Sequence, residues 1–286
     1  MERILVLLCN PAAPVLTDAL AETVRAAVGA EAVRWLKPGV ACDLIAPAAD
    51  EAAARAALDG APVDCALIPA ANRRKRLLVA DMDSTIIQQE CIDELADFAG
   101  VRAEVSAVTE RAMRGELDFE EALIERVAKL KGLTDATLQQ CFEERIVLTP
   151  GARALTDRMR AESALCSLVS GGFTFFTARV ADLAGFDRQQ ANRLEMADGA
   201  LTGEVARPIL GREAKEAALK AYADELGCDL SETMAVGDGA NDLAMLGAAG
   251  LGVAFHAKPA VAESADVRID HGDLTALLYL QGYAEG

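Results

Sequence analysis

The segment Leu77–Thr85, which reads LLVADMDST, decides the fold that we expect for this chain. Its four opening apolar residues are typical of a strand buried on both faces, as in a parallel sheet. Two carboxylates, Asp81 and Asp83, then leave the strand at the end where open α/β sheets gather their ligands. Such carboxylates repel each other unless a bound cation or a catalytic role balances them. Taken alone, the segment is also compatible with a solvated turn that caps a helix.

Length and composition limit the class of protein. The chain has 286 residues, 52% of them hydrophobic, which is enough for two domains or for one domain with a large insertion. The formal net charge of −17 argues against general binding of nucleic acid or of anionic membranes. No apolar run approaches the ~20 residues that span a bilayer, and the N-terminus lacks a signal-peptide pattern. We therefore expect a cytoplasmic protein without a nucleic-acid or membrane partner.

Cysteine and histidine usage excludes several kinds of site. The seven cysteines are scattered, several of them within apolar runs, and they form no CxxC pair. This pattern indicates reduced core residues rather than a disulfide or zinc framework. The chain has only two histidines, which disfavours a Ser-His or Cys-His hydrolase and a His-rich metal site.

Two regions of different pattern divide the chain. Residues 1–72 give the order βαββαβ, which is typical of a small α+β sandwich on an antiparallel sheet. Residues 73–286 alternate strands and helices, which indicates a parallel α/β sheet. A helical block at about residues 91–146 interrupts the alternation, and we expect it to cover the sheet edge like a lid. The basic run Arg73–Arg76 is expected to be a solvated linker, and Leu194–Val205 a hairpin that turns at Asp198-Gly199.

Two further predicted strands end in loops that suit phosphate and cation binding. Leu165–Val169 is followed by Ser170-Gly171-Gly172, a predicted bend that opens a helix and presents a hydroxyl and amides to an anion. Thr233–Val236 is followed by Gly237–Asp242 (GDGAND), whose glycines permit tight turning while its acidic groups converge as cation ligands. Between them, Lys215 lies on a predicted helix, where a single lysine is ordinarily solvated.

DxDST, SGG, a separate lysine and GDGAND, in this order, resemble the haloacid dehalogenase superfamily of aspartate-nucleophile phosphotransferases. The resemblance runs from Leu77 to the C-terminus and implies a Rossmann-like parallel sheet core with a helical cap insertion. It assigns Asp81 as nucleophile, Asp83 as general acid and base, Ser170 and Gly171 as ligands of the phosphoryl oxygens, Lys215 as counter-charge, Asn241 as an orienting group and Asp242 as support for its loop. It also implies a Mg²⁺ ion held by Asp81, Asp238 and the backbone carbonyl of Asp83.

The cap residues narrow the expected substrate. Glu90 comes just before the first cap helix, and Phe119 and Arg126 lie two helical turns apart on one face. Glu90 suits an ammonium and Arg126 a carboxylate, while Phe119 would exclude water, a combination that fits a small zwitterion. Each of the three residues also has an ordinary structural explanation.

Three longer motifs, DxDSTxxxxE, GxLxFxxALxxRVxxLKGL and LTPG, resemble the phosphoserine phosphatases. This resemblance implies hydrolysis of O-phospho-L-serine through an aspartyl phosphate, the last step of serine biosynthesis, with Glu90, Phe119, Arg126 and Ser170 binding the substrate. Two alternatives stay open. One is a phosphotransferase that passes the phosphoryl group to an alcohol such as homoserine, and the other is a non-catalytic amino-acid-binding regulatory protein.

The first region resembles the ACT-like, ferredoxin-like domains that bind amino acids, in topology only. Its loop Asn10–Pro14 lacks the glycine that such domains often carry at this position. Two roles therefore stay open: a ligand sensor, or a dimerisation or structural element through which the chain would form a homodimer.

Overall fold

The computed structural model describes residues 3–45, 50–114 and 116–284, and its N-terminal module is a four-stranded antiparallel sheet with two helices. Its elements are β1 (Arg3–Leu8), α1 (Asp18–Val28), β2 (Val33–Lys37), β3 (Ala41–Ile45), α2 (Glu51–Ala57) and β4 (Asp64–Pro69). The strands lie in the order β2-β3-β1-β4, so the predicted βαββαβ arrangement is confirmed. The placement of the domain boundary after residue 72 stays a prediction.

Both faces of the module's sheet are buried. Side chains alternate across a strand, so Leu5 and Leu7 pack with the module's own helices, whereas Val6 and Leu8 face the opposite way. Val6 and Leu8 belong to the large core that also contains Leu277 of the C-terminal helix. The module is therefore packed on the rest of the chain through one face of its sheet.

The remaining elements form a parallel α/β sheet with a helical insertion. They are β5 (Leu77–Ala80), α3 (Cys91–Phe98), α4 (Arg102–Met113), α5 (Phe119–Lys129), α6 (Asp135–Arg145), α7 (Ala152–Ala161), β6 (Leu165–Phe173), α8 (Thr174–Ala184), β7 (Arg188–Asn192), β8 (Leu194–Ala197), β9 (Ala200–Val205), α9 (Arg212–Leu226), β10 (Thr233–Gly237), α10 (Leu243–Ala248), β11 (Gly252–Phe255), α11 (Pro259–Ala262), β12 (Val267–Ile269) and α12 (Ala276–Leu280). Six strands lie parallel in the order β12-β11-β10-β5-β6-β7, which confirms the predicted fold class.

The central strand β5 positions the functional loops. Its four residues are fully buried, and it pairs with β10 on one side and β6 on the other. Because these strands are parallel, the segments that follow Ala80, Val169 and Val236 emerge at the same edge of the sheet. The chain order changes direction at β5, and such a point is where open α/β sheets bind ligands.

The helical cap comprises α3 to α6. The chain enters and leaves the cap at adjacent positions, because Ile87, before α3, and Leu148, after α6, form an antiparallel bridge. A capping box starts α5: Asp118 accepts the Glu121 backbone N–H, and the Glu121 carboxylate accepts the Asp118 backbone N–H. Gly115, which opens the longest of the quoted motifs, lies outside the described residues.

The hairpin of β8 and β9 turns at Asp198-Gly199, as predicted, and it is bonded to the cap. The Gly132 backbone N–H donates to the Leu201 carbonyl at 2.9 Å, and the Leu201 N–H donates to the Leu133 carbonyl at 2.8 Å. A third main-chain bond runs from the Asp135 N–H to the Gly199 carbonyl at 3.2 Å. Cap and hairpin are thus joined by three backbone hydrogen bonds.

The prediction of a bend at Ser170-Gly171-Gly172 is wrong, whereas the helix expected directly after these residues is confirmed. Strand β6 continues through these residues to Phe173, and α8 begins only at Thr174. The pairing with β7 shifts register between Val169 and Phe173, and the two glycines lie within this irregular part of the strand. The Ser170 hydroxyl accepts the Gly172 N–H at 2.9 Å, a contact that holds this irregular end of the strand.

The prediction of a solvated basic linker is wrong for Arg73 and Lys75. Arg73 donates to the two carboxylate oxygens of Asp43 at 2.7 and 2.6 Å and to two carbonyls of α12. The Lys75 ammonium donates to the Ser231 carbonyl at 2.6 Å and is 7% exposed. Because the module packs directly on α12, the segment between them is covered rather than solvated.

Two further expectations concern cysteines and membranes. All seven cysteines are free thiols, and Cys228 alone among them is not fully buried. Within the described ranges, every helix is too short or too polar to cross a bilayer.

Candidate active site

Three carboxylates converge where β5 and β10 end. Asp81, Asp238 and Asp242 each offer an oxygen, and these oxygens all lie within 4.8 Å of one another. The Lys215 ammonium lies 2.7 Å from Asp81 and 2.6 Å from Asp242. The structure therefore brings Asp81 and Asp238 close enough to share an ion, as the sequence-based assignment requires.

Lys215 is the counter-charge of this cluster. It is 2% exposed, although a lysine on a helix is ordinarily solvated. Burial lowers the pKa of Lys215, but the adjacent carboxylates of Asp81 and Asp242 outweigh that effect and raise the pKa to about 12. Lys215 is therefore a permanent cation that pairs with two of the three carboxylates, Asp81 and Asp242.

A glycine makes the GDGAND loop possible. A Cβ at Gly237 would lie 2.4 Å from the Asp242 side chain, so glycine is required where the loop folds back on itself. Asp242 accepts the Gly239 backbone N–H at 3.0 Å while it pairs with Lys215. Asp242 thus supports its own loop, as expected, and it also joins the acidic cluster.

Asp83 is not one of the three clustered carboxylates. Its Oδ1 accepts the backbone N–H of Cys91 at 3.3 Å, at the start of α3. Burial, followed by the charge of Glu90, raises the pKa of Asp83 to about 7. Burial and the neighbouring Asp242 likewise raise the pKa of Asp238 to about 6.

A cavity of about 330 Å³ lies between the cluster and the cap. The predicted site residues other than Lys215 and Asp242 line it: Asp81, Asp83, Glu90, Phe119, Arg126, Ser170, Gly171, Asp238 and Asn241. Lys215 does not line the cavity but contacts Asp81, which does. The cavity therefore joins residues of the sheet edge and of the cap in one space.

The cap contributes Phe119 to the wall of this cavity. A Cβ at Gly171 would lie 3.1 Å from the Phe119 ring, and one at Gly211 would lie 3.7 Å from it, so the ring packs on two glycines. Arg126 extends inward from the same helix, where burial lowers its pKa while the charges of Asp93 and Glu90 oppose that change. The cap side of the cavity thus presents the carboxylate of Glu90 and the guanidinium of Arg126.

Three further residues shape the site and were not identified from the sequence. Asn192 donates to the Gly171 carbonyl at 2.9 Å, and Thr85 donates to Asp238 at 3.3 Å. Lys258 lines the cavity from the segment after β11. The strand-end rule that found Asp81 also points to Lys258, and Thr85 is the threonine of DxDST. No sequence signal marks Asn192, because it ends a strand that was not predicted.

Comparison with known proteins agrees with this geometry. The family model described as haloacid dehalogenase-like hydrolase matches residues 78–247. The chain belongs to this family. Its hydrolase core therefore includes β5, the cap and the GDGAND loop.

Two curated relatives of this haloacid dehalogenase-like hydrolase are named phosphoserine phosphatases. Phosphoserine phosphatase SerB2 of Mycobacterium tuberculosis is 48% identical over 214 residues, which cover 75% of this chain and 52% of the relative. The chain thus spans about half the length of that protein. Phosphoserine phosphatase of Streptococcus thermophilus is 50% identical over 200 residues, which cover 70% of this chain and 93% of the relative.

Two solved structures are also similar. The unliganded probable phosphoserine phosphatase of Vibrio cholerae has a TM-score of 0.84 at 35% identity and covers 99% of this chain and 87% of its own. A structure described as a phospho-aspartyl intermediate analogue of phosphoserine phosphatase has a TM-score of 0.67 at 40% identity. It covers 74% of this chain and 100% of its own.

Proposed function

We propose that this chain is a Mg²⁺-dependent phosphomonoesterase that hydrolyses O-phospho-L-serine to L-serine and phosphate, the last step of serine biosynthesis. One observation carries the proposal: a single cavity joins the carboxylate–lysine cluster of Asp81 to Glu90 and Arg126 on the cap. The names of the two relatives support the same substrate.

Asp81 is the proposed nucleophile. Its carboxylate oxygen attacks phosphorus, the bond from phosphorus to the serine oxygen breaks, and an aspartyl phosphate forms. The similar structure described as a phospho-aspartyl intermediate analogue supports this assignment. Lys215, held 2.7 Å from Asp81, offsets the negative charge that a phosphate dianion brings to a carboxylate.

Asp83 is the proposed proton donor and acceptor. It lines the cavity and its pKa is raised to about 7, so it can carry the proton that the departing serine oxygen needs. A water molecule then attacks phosphorus, loses its proton to Asp83, and releases phosphate with Asp81 restored. Ser170, Gly171 and Asn241 line the same cavity and are assigned to the phosphoryl oxygens.

The donor set fits Mg²⁺. Asp81 and Asp238 supply the hard oxygen ligands that this ion prefers, and one lysine leaves three neighbouring carboxylates short of positive charge. Asp83 is assigned to the same ion through its backbone carbonyl. When bound, the ion would supply the positive charge that draws electrons away from phosphorus.

Phosphate release in the presence of Mg²⁺ tests the proposal. Phosphoserine should have a higher kcat/KM than phosphoethanolamine, which lacks the carboxylate that Arg126 would bind, and chelation of the metal should abolish turnover. Serine formed in equal amount to phosphate, with homoserine also present, would establish water as the acceptor. Equal kcat/KM for phosphoserine, phosphoethanolamine and sugar phosphates would refute the substrate assignment.

Location and assembly are part of the same proposal. We place the protein in the cytoplasm, where reduced cysteines persist, because its thiols are free and mostly buried. A homodimer through the N-terminal module stays a prediction. Both faces of that module's sheet are already covered within the chain, so such a dimer would use other parts of the module, among them the outer edge of β2.

A further inference from the structure

Glu90 stands at the start of helix α3 but does not cap it. A residue at this position often accepts a backbone N–H of its own helix, yet the Glu90 side chain makes no such bond. The carboxylate of Asp83 accepts the Cys91 N–H instead, at 3.3 Å. The Glu90 carboxylate is therefore available for another role, and it lines the cavity.

One contact fixes the Glu90 carboxylate. The hydroxyl of Ser84 donates to Oε1 of Glu90 at 2.7 Å. Glu90 is exposed, and an exposed glutamate otherwise samples several side-chain conformations. With Oε1 held, the carboxylate keeps one orientation, and Oε2 is left to accept from a ligand.

Ser84 adopts an uncommon backbone conformation to make this contact. Its φ is 55° and its ψ is 6°, the left-handed region that is costly for residues other than glycine. In this conformation its backbone N–H also donates to the Gln89 carbonyl at 3.2 Å. Glycine would adopt the same backbone more easily, so the hydroxyl is what serine adds at this position.

We infer that Ser84 is a positioning residue that fixes Glu90 for recognition of the substrate ammonium. The inference rests on the proposed function, because it takes the ligand to be a phosphate ester with an ammonium group. Ser84 acts only through Glu90. Its loss should therefore weaken selection of the ammonium while the chemistry at Asp81 continues.

Two substrates isolate this effect. 3-Phosphooxypropionate has the phosphate, chain and carboxylate of phosphoserine but lacks the ammonium. The quantity to measure is the ratio of kcat/KM for phosphoserine to kcat/KM for this analogue. Ser84→Ala should lower the ratio by about 10-fold, the size of a lost hydrogen bond to a charged group, through a raised KM for phosphoserine. Values for the analogue and kcat for phosphoserine should stay within about twofold.

A second variant separates the hydroxyl from the backbone. Ser84→Gly removes the same hydroxyl but relieves the left-handed conformation, so it should lose the same selectivity without lowering the unfolding midpoint. Ser106→Ala is a matched control, since Ser106 is an exposed cap residue that does not line the cavity. Its ratio should equal that of the unmodified protein.

The outcomes distinguish the two proposals. An unmodified protein that does not prefer phosphoserine to the analogue would overturn ammonium recognition, and the role of Ser84 with it. A preference that both Ser84 variants retain would overturn the role of Ser84 alone. Equal losses for both substrates would also overturn it, because they would indicate a purely structural residue.

Discussion

Replacing Arg73 by methionine should release the N-terminal module from the rest of the chain. Arg73 is 9% exposed and pairs through two bonds with Asp43, whose side chain is 0% exposed. Arg73→Met would keep the length of the side chain but leave the Asp43 carboxylate buried with less compensation. Arg73 also donates to the carbonyls of Leu280 and Tyr279, so the same change removes bonds to α12.

The expected magnitude follows from the burial of the pair. Removing one partner of a buried ion pair typically costs about 3–5 kcal/mol of stability. Arg34, whose side chain is 57% exposed, also contacts Asp43 and retains part of the compensation. We therefore expect the lower end, about 3 kcal/mol. A module of about 70 residues is marginally stable alone, so it should unfold before the catalytic part.

Urea unfolding measures this effect, because the single tryptophan, Trp35, lies in β2 of the module. With a slope of about 2 kcal/mol per molar urea, the Trp35 fluorescence midpoint should fall by about 1.5 M. Far-ultraviolet circular dichroism, which reports mainly the larger part, should show a later transition.

Arg76→Met is the matched control for the same measurement. Arg76 is 49% exposed and lies 3.5 Å from Glu232, and an exposed pair of this kind is worth about 0–1 kcal/mol. Equal tryptophan midpoints for the two variants would refute the reasoning about the buried pair.

Three further predictions concern the active site and the linker. Asp81→Asn should reduce kcat for phosphoserine by at least about 10⁴-fold, measured as phosphate release, and substantial remaining turnover would remove Asp81 as nucleophile. Gly237→Ala should lower stability by about 2 kcal/mol and reduce kcat, because the added Cβ would lie 2.4 Å from Asp242. Gly247→Ala, which meets nothing within 4 Å, should leave the thermal midpoint and kcat essentially unchanged or raise the midpoint, and equal effects of the two changes would contradict the steric argument. Burial lowers the pKa of Lys75 from 10.5 to about 8, so its charge opposes folding below pH 8 and this cost is released between pH 8 and 10.5. Between pH 8 and 10.5 the free energy of unfolding, measured by urea titration, should therefore rise with pH relative to that of Lys75→Met. The same pH dependence of this free energy in both proteins would contradict the prediction.

The sequence predicts the catalytic core well because its signals are local. Leu77–Ala80 is a short, wholly apolar run followed by acidic residues, so both the buried strand and the ligand edge follow from one segment. The cap residues Phe119 and Arg126 share a helix face, and both line the cavity, because seven residues make nearly two turns.

Features that depend on distant partners could not be predicted. Arg73 looks like a solvated charge until Asp43, 30 residues earlier, is brought against it by the docking of the module. Strand β7 has the polar sequence RQQAN because it lies at the sheet edge, where its first two residues are exposed and give no hydrophobic signal. The strand continuation through Ser170 likewise depends on pairing with β7.

The three main-chain bonds between the β8–β9 hairpin and the cap have a mechanical consequence. An outward swing of the cap must either break these bonds or carry the hairpin with it. The segment that leaves the hairpin leads within a few residues to Gly211, the residue before the helix that holds Lys215. Entry and departure of small molecules are therefore linked through the backbone to the helix that supplies the Lys215 ammonium. A hinge confined to the two ends of the cap would not be enough to open the cavity.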